Sequence, residues 1–352
     1  MKAVVLQKYT NLTQEEVDEK FKTQFAILRE GGFELSFFFT QGHTDEEIIE
    51  HTRDADVIMG FGNPTISRKV IEGSPKLKAI QSGGIGVNGF DRKACSDNGV
   101  LVMNNAGYCV EELAVHAAGM ILSLMRDLPS YDRGVRSGNW PKGKGKQPLR
   151  ISNLTMGIVG LGGSGRKSAN IWHNGFGCKV IAYDPYVTQN VASEYGVTMV
   201  DFKTLCSASD LITIHCPLTD ETFHMFNRDA FSLMKPNVII ANTARGPIIE
   251  QSALLEALEK KTIKAAGLDV FETEPVPADN PLLGFPENTF FSPHSAYKGK
   301  EANRFQAKLT GWLPVYLMRD KTIYSHYVTN PEVLDKFADF VIHDEILSAL
   351  DC

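Results

Sequence analysis

The chain has 352 residues, enough for two packed domains with separate cores. Its 43% hydrophobic and 22% charged residues describe an ordinary globular protein rather than a disordered or membrane-embedded one. A formal charge of −6 with scattered basic residues argues against nucleic acid as the main partner.

Short apolar runs alternate with amphipathic stretches, the pattern of a parallel sheet with crossover helices. In the first part, residues 3–6, 35–39, 57–59, 77–80 and 100–102 read as strands. Residues 14–29, 45–52 and 92–98 read as helices, and Gly99 stands where a left-handed helix terminus would want it. A longer helix follows over 110–125, apolar on most faces, as expected between domains or in a subunit interface. Residues 137–148 hold Gly, Pro and Lys without periodicity and read as a loop; the alternating Lys and Gly of 142–146 are expected to be solvated.

A second alternating series starts at Met156, with strands at 156–159, 180–183, 211–215, 238–241, 265–268 and 289–291. Six such strands suffice for a complete dinucleotide-binding domain. The chain then returns through a helix at 301–318 and ends in a polar tail after Pro331.

None of the six cysteines forms a C-x-x-C pair, so free thiols in a reducing compartment are expected, with no metal set. No apolar run approaches the ~20 residues that span a bilayer. Residues 1–6 read as a strand rather than a leader, and Cys352 is not the first position of a prenylation box. A cytoplasmic protein without a membrane partner is expected.

Gly160-Leu161-Gly162-Gly163-Ser164-Gly165 lies between an apolar run and the helix-like stretch 166–173. A G-x-G-x-x-G string is weak alone, but strand before and helix after are its required context. Gly160 permits a tight turn, Gly162 lets the backbone approach a pyrophosphate, and Gly165 lets helix and strand pack closely. Free amides at the helix start then hold the phosphates. Asp184 ends the next strand nineteen residues after Gly165. An acid there accepts the adenosine ribose hydroxyls and repels a 2′-phosphate, which favours NAD over NADP. A methyltransferase using S-adenosylmethionine shares these features, whereas a plain surface Asp before Pro185 does not explain the register.

Ligands of open α/β sheets bind beyond the carboxyl ends of the strands. Asn242-Thr243-Ala244-Arg245 follows one strand, Asp269 to Glu274 the next, and Ser292-Pro293-His294 the last. Each residue alone is ambiguous, since an Arg after a strand is usually a salt-bridge partner and a His usually structural. Together they match the reduction of a 2-oxo acid. A guanidinium grips carboxylate and carbonyl, an imidazole gives a proton to the developing alkoxide, and a carboxylate orients the imidazole and favours its charged form. A methyltransferase has no use for that set. Cys216 and Cys109 read as small buried residues rather than nucleophiles.

The strings GIVGLGGSG (157–165), VIAYDPY (180–186), HCPLT (215–219), NTARGP (242–247), GLDVFETEP (267–275) and Pro293-His294 resemble the D-isomer-specific 2-hydroxyacid dehydrogenases, and residues 77–91 resemble that family's substrate loop. The resemblance runs from about residue 55 to 331. It implies NAD as cofactor, with Arg245 binding substrate, His294 donating the proton, and Glu274 orienting it. Glu272 competes for that last role, and the family spacing of twenty-nine residues from the arginine selects Glu274. Cofactor contacts are implied for Gly160, Gly162, Gly163, Ser164, Gly165, Asp184, Cys216, Pro217, Thr243, Ala244 and Asp269, the last facing the nicotinamide carboxamide. Gly84 and Ile85 of the SGGIG loop (82–86) carry the backbone amides for the substrate carboxylate.

The resemblance also implies the architecture: α/β, two Rossmann-like domains, with a flavodoxin-like substrate domain and an inserted NAD-binding doubly wound parallel sheet. The substrate domain is discontinuous (1–105 and 296–331), the NAD-binding domain spans 106–295, and 332–352 form a C-terminal extension. Hinge closure and a homodimer formed through the nucleotide domains go with it. Gly163-Ser164 departs from the usual Arg-Ile, and Val115 stands before His116 where Glu is usual. A formate dehydrogenase would carry an amide in place of Glu274. A non-catalytic, NAD-sensing corepressor-like protein would keep all three catalytic residues. The loops at 61–64 and 105–108 are expected to set specificity, leaving the particular 2-oxo acid open.

Overall fold

The computed structural model describes residues 1–8, 13–62, 64–140 and 148–347. The 142–146 stretch, Asn63 of the 61–64 loop and Cys352 fall outside them. The chain divides into two units, one of Met1–Tyr108 with the chain from Lys300 onward, the other Cys109–Gly299.

The first unit is built on five parallel strands, β1 (Lys2–Gln7), β2 (Glu34–Phe39), β3 (Val57–Phe61), β4 (Ala79–Ser82) and β5 (Leu101–Met103), in the order β2-β1-β3-β4-β5. This is the flavodoxin-like order, with its switch point between β1 and β3. Successive side chains leave a strand on opposite faces. Val4, Leu6, Ile58 and Ile80 therefore form one core with Ile48, Val70 and Ala94, while Ala3, Val5, Val57 and Met59 form another with Phe25, Leu28 and Val315. Burial on both faces is why β1 and β3 read as unbroken apolar runs.

The second unit holds β6 (Thr155–Val159), β7 (Lys179–Tyr183), β8 (Val197–Met199), β9 (Leu211–Ile214), β10 (Ile239–Asn242), β11 (Ala265–Leu268) and β12 (Thr289–Phe291). Their order is β12-β11-β10-β9-β6-β7-β8, a doubly wound sheet reversing between β6 and β9. The long helix Val110–Met125 packs Ala117, Ile121 and Leu124 on the face formed by Met156, Ile158 and Ala241, and leaves Val115 exposed.

The elements differ from the sequence expectation in four places. Residues 14–29 form two helices, Gln14–Lys20 and Lys22–Glu30. The chain leaves helical geometry at Phe21, whose ring packs on Phe25 and Phe61. A seventh strand, β8, lies at the sheet edge and is only three residues long. The helix Leu128–Arg136 buries none of its residues, and it is only nine residues long, with Pro129 and Gly134 weakening its signal. The segment after Pro331 is not simply polar. Val333 and Phe337 are buried, and Val341–His343 pairs in parallel with Thr322–Tyr324. Asn330 seals the β5 edge, accepting from Val102 N–H at 2.8 Å and donating to Val100 O at 2.9 Å. Gly99 adopts the left-handed conformation expected of it, with φ of 72°.

Candidate active site

The glycine turn joins β6 to the helix Gly163–Asn170. Gly160 has φ of 90°, and a Cβ there would come 2.5 Å from the Cys216 backbone nitrogen. A Cβ on Gly165 would overlap the Gly160 carbonyl, whereas one on Gly162 would meet nothing within 4 Å. Two glycines thus allow backbone to touch backbone, and the third leaves a face open. Gly163 lies against the long helix, where a Cβ would stand 2.9 Å from Val110 Cγ1. A small residue in place of the usual Arg suits that contact. The first bond of the helix runs from Arg166 N–H to Gly162 O at 2.9 Å, so the preceding amides of 163–165 belong to its unpaired N-terminus.

Asp184 closes the turn from β7. Its carboxylate accepts from Leu161 N–H at 2.8 Å and from Tyr186 N–H at 2.9 Å. Each oxygen keeps a further lone pair for a ribose hydroxyl. Beyond β9, burial pushes the His215 imidazole down to about 4 and the Cys216 thiol up to about 12, leaving both uncharged near neutral pH. Pro217 O accepts from Thr222 Oγ1 at 2.7 Å. Beyond β10, Ala244 N–H donates to Asn242 Oδ1 at 3.0 Å. Thr243 Oγ1 is buried without a hydrogen-bond partner among the described residues. An orphaned hydroxyl, an open glycine face and an unpaired helix terminus along one strand-end edge are what a dinucleotide satisfies, so these residues fit NAD.

Arg245 follows in extended conformation, and Asn242 Nδ2 donates to its carbonyl at 2.8 Å. A Cβ on Gly246 would overlap the Phe271 carbonyl, so this glycine lets the arginine segment lie against the backbone that leads to the acids. There the two competing carboxylates separate. Glu274 Oε2 meets His294 Nδ1 at 2.7 Å, while its Oε1 accepts from Phe271 N–H at 2.9 Å. Glu272 Oε1 instead pairs with His224 Nε2 at 2.9 Å and accepts from Gln251 N–H at 3.0 Å. Burial pushes the Glu274 carboxyl up, but the His294 bond, the Phe271 amide, and the charges of His294 and Arg245 outweigh it and hold the group below its ordinary range.

His294 itself sits in the left-handed region, with φ of 47°, where non-glycine residues are uncommon. Asp269 holds it there. The Asp269 carbonyl accepts from His294 N–H at 2.7 Å. Its carboxylate, 1% exposed, accepts from Ser292 Oγ at 2.5 Å, Ser295 N–H at 2.8 Å and Ala296 N–H at 3.0 Å. Most of its acceptor capacity is thus spent on the histidine loop, leaving one lone pair on Oδ2 for a carboxamide. His116 Nε2, from the long helix, reaches Ser292 Oγ at 2.8 Å. Because the Ser292 proton is committed to Asp269, His116 is the donor in that bond. Sequence reasoning did not assign His116 or Ser292 a role, since their partners lie more than twenty residues away and no local spacing marks them.

Gly84 and Ile85 lie in the first unit, in the loop after β4. Gly84 N–H donates to Ser82 Oγ at 3.2 Å, and Ile85 O accepts from Asn104 Nδ2 at 2.8 Å.

Residues 118–296 match the model of the D-isomer-specific 2-hydroxyacid dehydrogenase NAD-binding domain. The chain belongs to this family. The D-3-phosphoglycerate dehydrogenase of Methanocaldococcus jannaschii is 38% identical over 264 residues, 75% of this chain and 50% of the relative. The chain thus spans about half the length of that relative. The glyoxylate reductase of Thermococcus litoralis is 35% identical over 268 residues, covering 74% of this chain and 80% of the relative. Among solved structures, an NAD-dependent formate dehydrogenase from Staphylococcus aureus in complex with NAD superposes with a TM-score of 0.80 at 28% identity, covering 93% of this chain and 98% of that one. The second unit thus contains the family's NAD-binding domain, and it is the doubly wound parallel sheet with a glycine turn that the sequence led us to expect, one strand longer.

Proposed function

We propose that the protein is an NAD-dependent oxidoreductase interconverting a small D-2-hydroxy acid and its 2-oxo acid. The observation that carries this reading is the Glu274–His294 pair at 2.7 Å, at the strand ends of the sheet that bears the glycine turn. The cofactor's nicotinamide supplies the hydride in reduction and takes it up in oxidation. Glu274 accepts the Nδ1 proton of His294, which fixes the imidazole's orientation and leaves Nε2 to face the substrate oxygen. In reduction Nε2 gives its proton to the alkoxide forming at C2, and in oxidation it takes the hydroxyl proton back. Arg245 offers two parallel N–H groups to carboxylate and carbonyl. Gly84 and Ile85 carry the carboxylate-binding amides. Asp184, whose carboxylate closes the glycine turn through Leu161 N–H, selects NAD over NADP by charge.

Glu274 also bears on formate oxidation, the alternative raised by the fold, because a formate dehydrogenase would present an amide there. Absorbance of NADH followed over a panel of 2-oxo acids tests the reading. Turnover of at least one at ordinary enzyme rates is expected, and NADH binding with no turnover of any would leave a cofactor-sensing protein instead. We further infer a homodimer and a cytoplasmic location. The helix Leu128–Arg136 exposes Leu128 and Val135, and Trp140 is 76% exposed, an apolar surface suited to a second copy. Cys95, Cys178, Cys206 and Cys216 are free and buried, as suits a reducing compartment. Light scattering of the purified chain checks the first inference, and cell fractionation the second.

A further inference from the structure

Three successive carbonyls of the loop after β4 are held by donors from elsewhere in the first unit. Gly83 O accepts from Gln306 Nε2 at 2.6 Å, Gly84 O from Asn105 N–H at 2.9 Å, and Ile85 O from Asn104 Nδ2 at 2.8 Å. In a trans peptide the carbonyl and the following N–H point in opposite directions. Anchoring these carbonyls therefore fixes where the N–H groups of Gly84, Ile85 and Gly86 point. Ser82 Oγ engages the first, accepting from Gly84 N–H at 3.2 Å while donating to Gly86 O at 2.8 Å. Ile85 N–H is then the leading donor that the loop presents.

The anchors are themselves braced. Gln81 Nε2 donates to Asn105 Oδ1 at 3.1 Å, Asn105 Nδ2 to Thr310 Oγ1 at 2.7 Å, and Thr310 Oγ1 to Gln306 O at 2.8 Å. Gln81, Asn105 and Thr310 are at most 1% exposed. A buried polar network is costly unless its members are paired, and apolar side chains would fill the same space. Every member of this one is neutral. Neutral anchors hold the backbone without cancelling the positive potential of its amides, as a carboxylate would. Packing tightens the loop further, because a Cβ on Gly83 would stand 2.6 Å from Phe61 Cδ1.

We propose that Gln306, on the helix Lys300–Met318, is a positioning residue for the substrate carboxylate: by holding Gly83 O it fixes the Gly83–Gly84 peptide, whose N–H meets Ser82, and so places the loop from which Ile85 N–H reaches the anion. This rests on the reading of the loop given under the proposed function. Gln306→Met keeps the length of the side chain and removes its donor. Gln306→Glu keeps the shape and replaces the donor with an anionic acceptor. The test is binding of oxamate, an unreactive 2-oxo acid analogue, to the NADH complex of the full chain, alongside KM and kcat for the best substrate. In Gln306→Met, oxamate affinity should fall about tenfold and KM rise to match, with kcat and NADH affinity held within about twofold. Gln306→Glu should lose more than the Met variant despite fitting the space better. Unchanged oxamate affinity in both variants overturns the proposal, as does an equal loss of NADH affinity, which would mark a loosened fold. A wild-type NADH complex that takes up no oxamate refutes the underlying reading and this inference with it, and that failure is seen before any variant is made.

Discussion

The two sheets solve different chemical problems at their carboxyl edges, and they use different materials. The edge of the second unit presents ionisable side chains, with Glu274 bonded to His294 and the charge of Arg245 bearing on Glu274. The edge of the first unit presents backbone, shaped by the neutral side chains of Gln81, Asn104, Asn105 and Gln306. Moving a proton requires a group that titrates, so residue identity is decisive there. Holding an anion on amides requires only that peptide planes face the right way, so the scaffold is decisive instead. Substitutions at the edge of the second unit should accordingly strike kcat, and those at the edge of the first should strike substrate affinity.

The largest effect expected is at the proton donor. His294→Ala should lower kcat by ~100- to 10,000-fold, the usual worth of a positioned acid, while NADH affinity measured by fluorescence stays within about threefold. A variant that keeps most of its kcat would place proton transfer elsewhere. Arg245→Lys comes next, with kcat/KM expected to fall about 100-fold although the charge is kept. An ammonium cannot form two parallel bonds, and small misplacement of the reacting carbon is expensive. Near-normal efficiency would make this arginine structural. A smaller change is expected at Asp184, where serine should narrow the preference for NADH over NADPH by about tenfold, mainly by weakening NADH. Equal use of both cofactors by the wild type would contradict the role given to its charge. Least of all should be seen in kcat for Gln306→Met, where the loss is expected in KM alone.

The same contrast governs what could be read from the chain. The second edge was legible because each of its residues follows a strand directly, and the order of glycine turn, Asp184, Arg245, Glu274 and His294 along the chain mirrors the order of strands. Even there, residue type alone left Glu272 and Glu274 equal. The family spacing pointed to Glu274, and the structure separates the two, sending Glu274 to His294 and Glu272 to His224. The first edge was legible as a glycine-rich loop and no further, since Gln306 acts on Gly83 from 223 residues away. Long-range donors leave no periodicity. The helix Leu128–Arg136 escaped for a different reason: Leu128 and Val135 share a face, but the helix is only nine residues long and Pro129 and Gly134 weaken its signal.

The central claim is that an ionised Glu274 holds His294 in its working orientation, and the pH dependence of reduction tests it most directly. The pair works with Glu274 ionised and His294 protonated. Because His294 and Arg245 help hold Glu274 below its ordinary range, acidification to about pH 5 should leave the carboxylate charged and reduction efficient. Below that, reduction should fall as Glu274 takes up a proton and can no longer accept from His294 Nδ1. Glu274→Gln keeps the size but has no carboxyl to titrate, so its reduction should be low throughout and should lack that acid fall. The measurement is kcat/KM for reduction against pH in wild type and Glu274→Gln, with deuterated NADH confirming that hydride transfer limits both. A variant lowered at every pH and lacking the acid limb is the predicted result; wild-type efficiency in the variant, or the same acid limb in both proteins, would contradict the account.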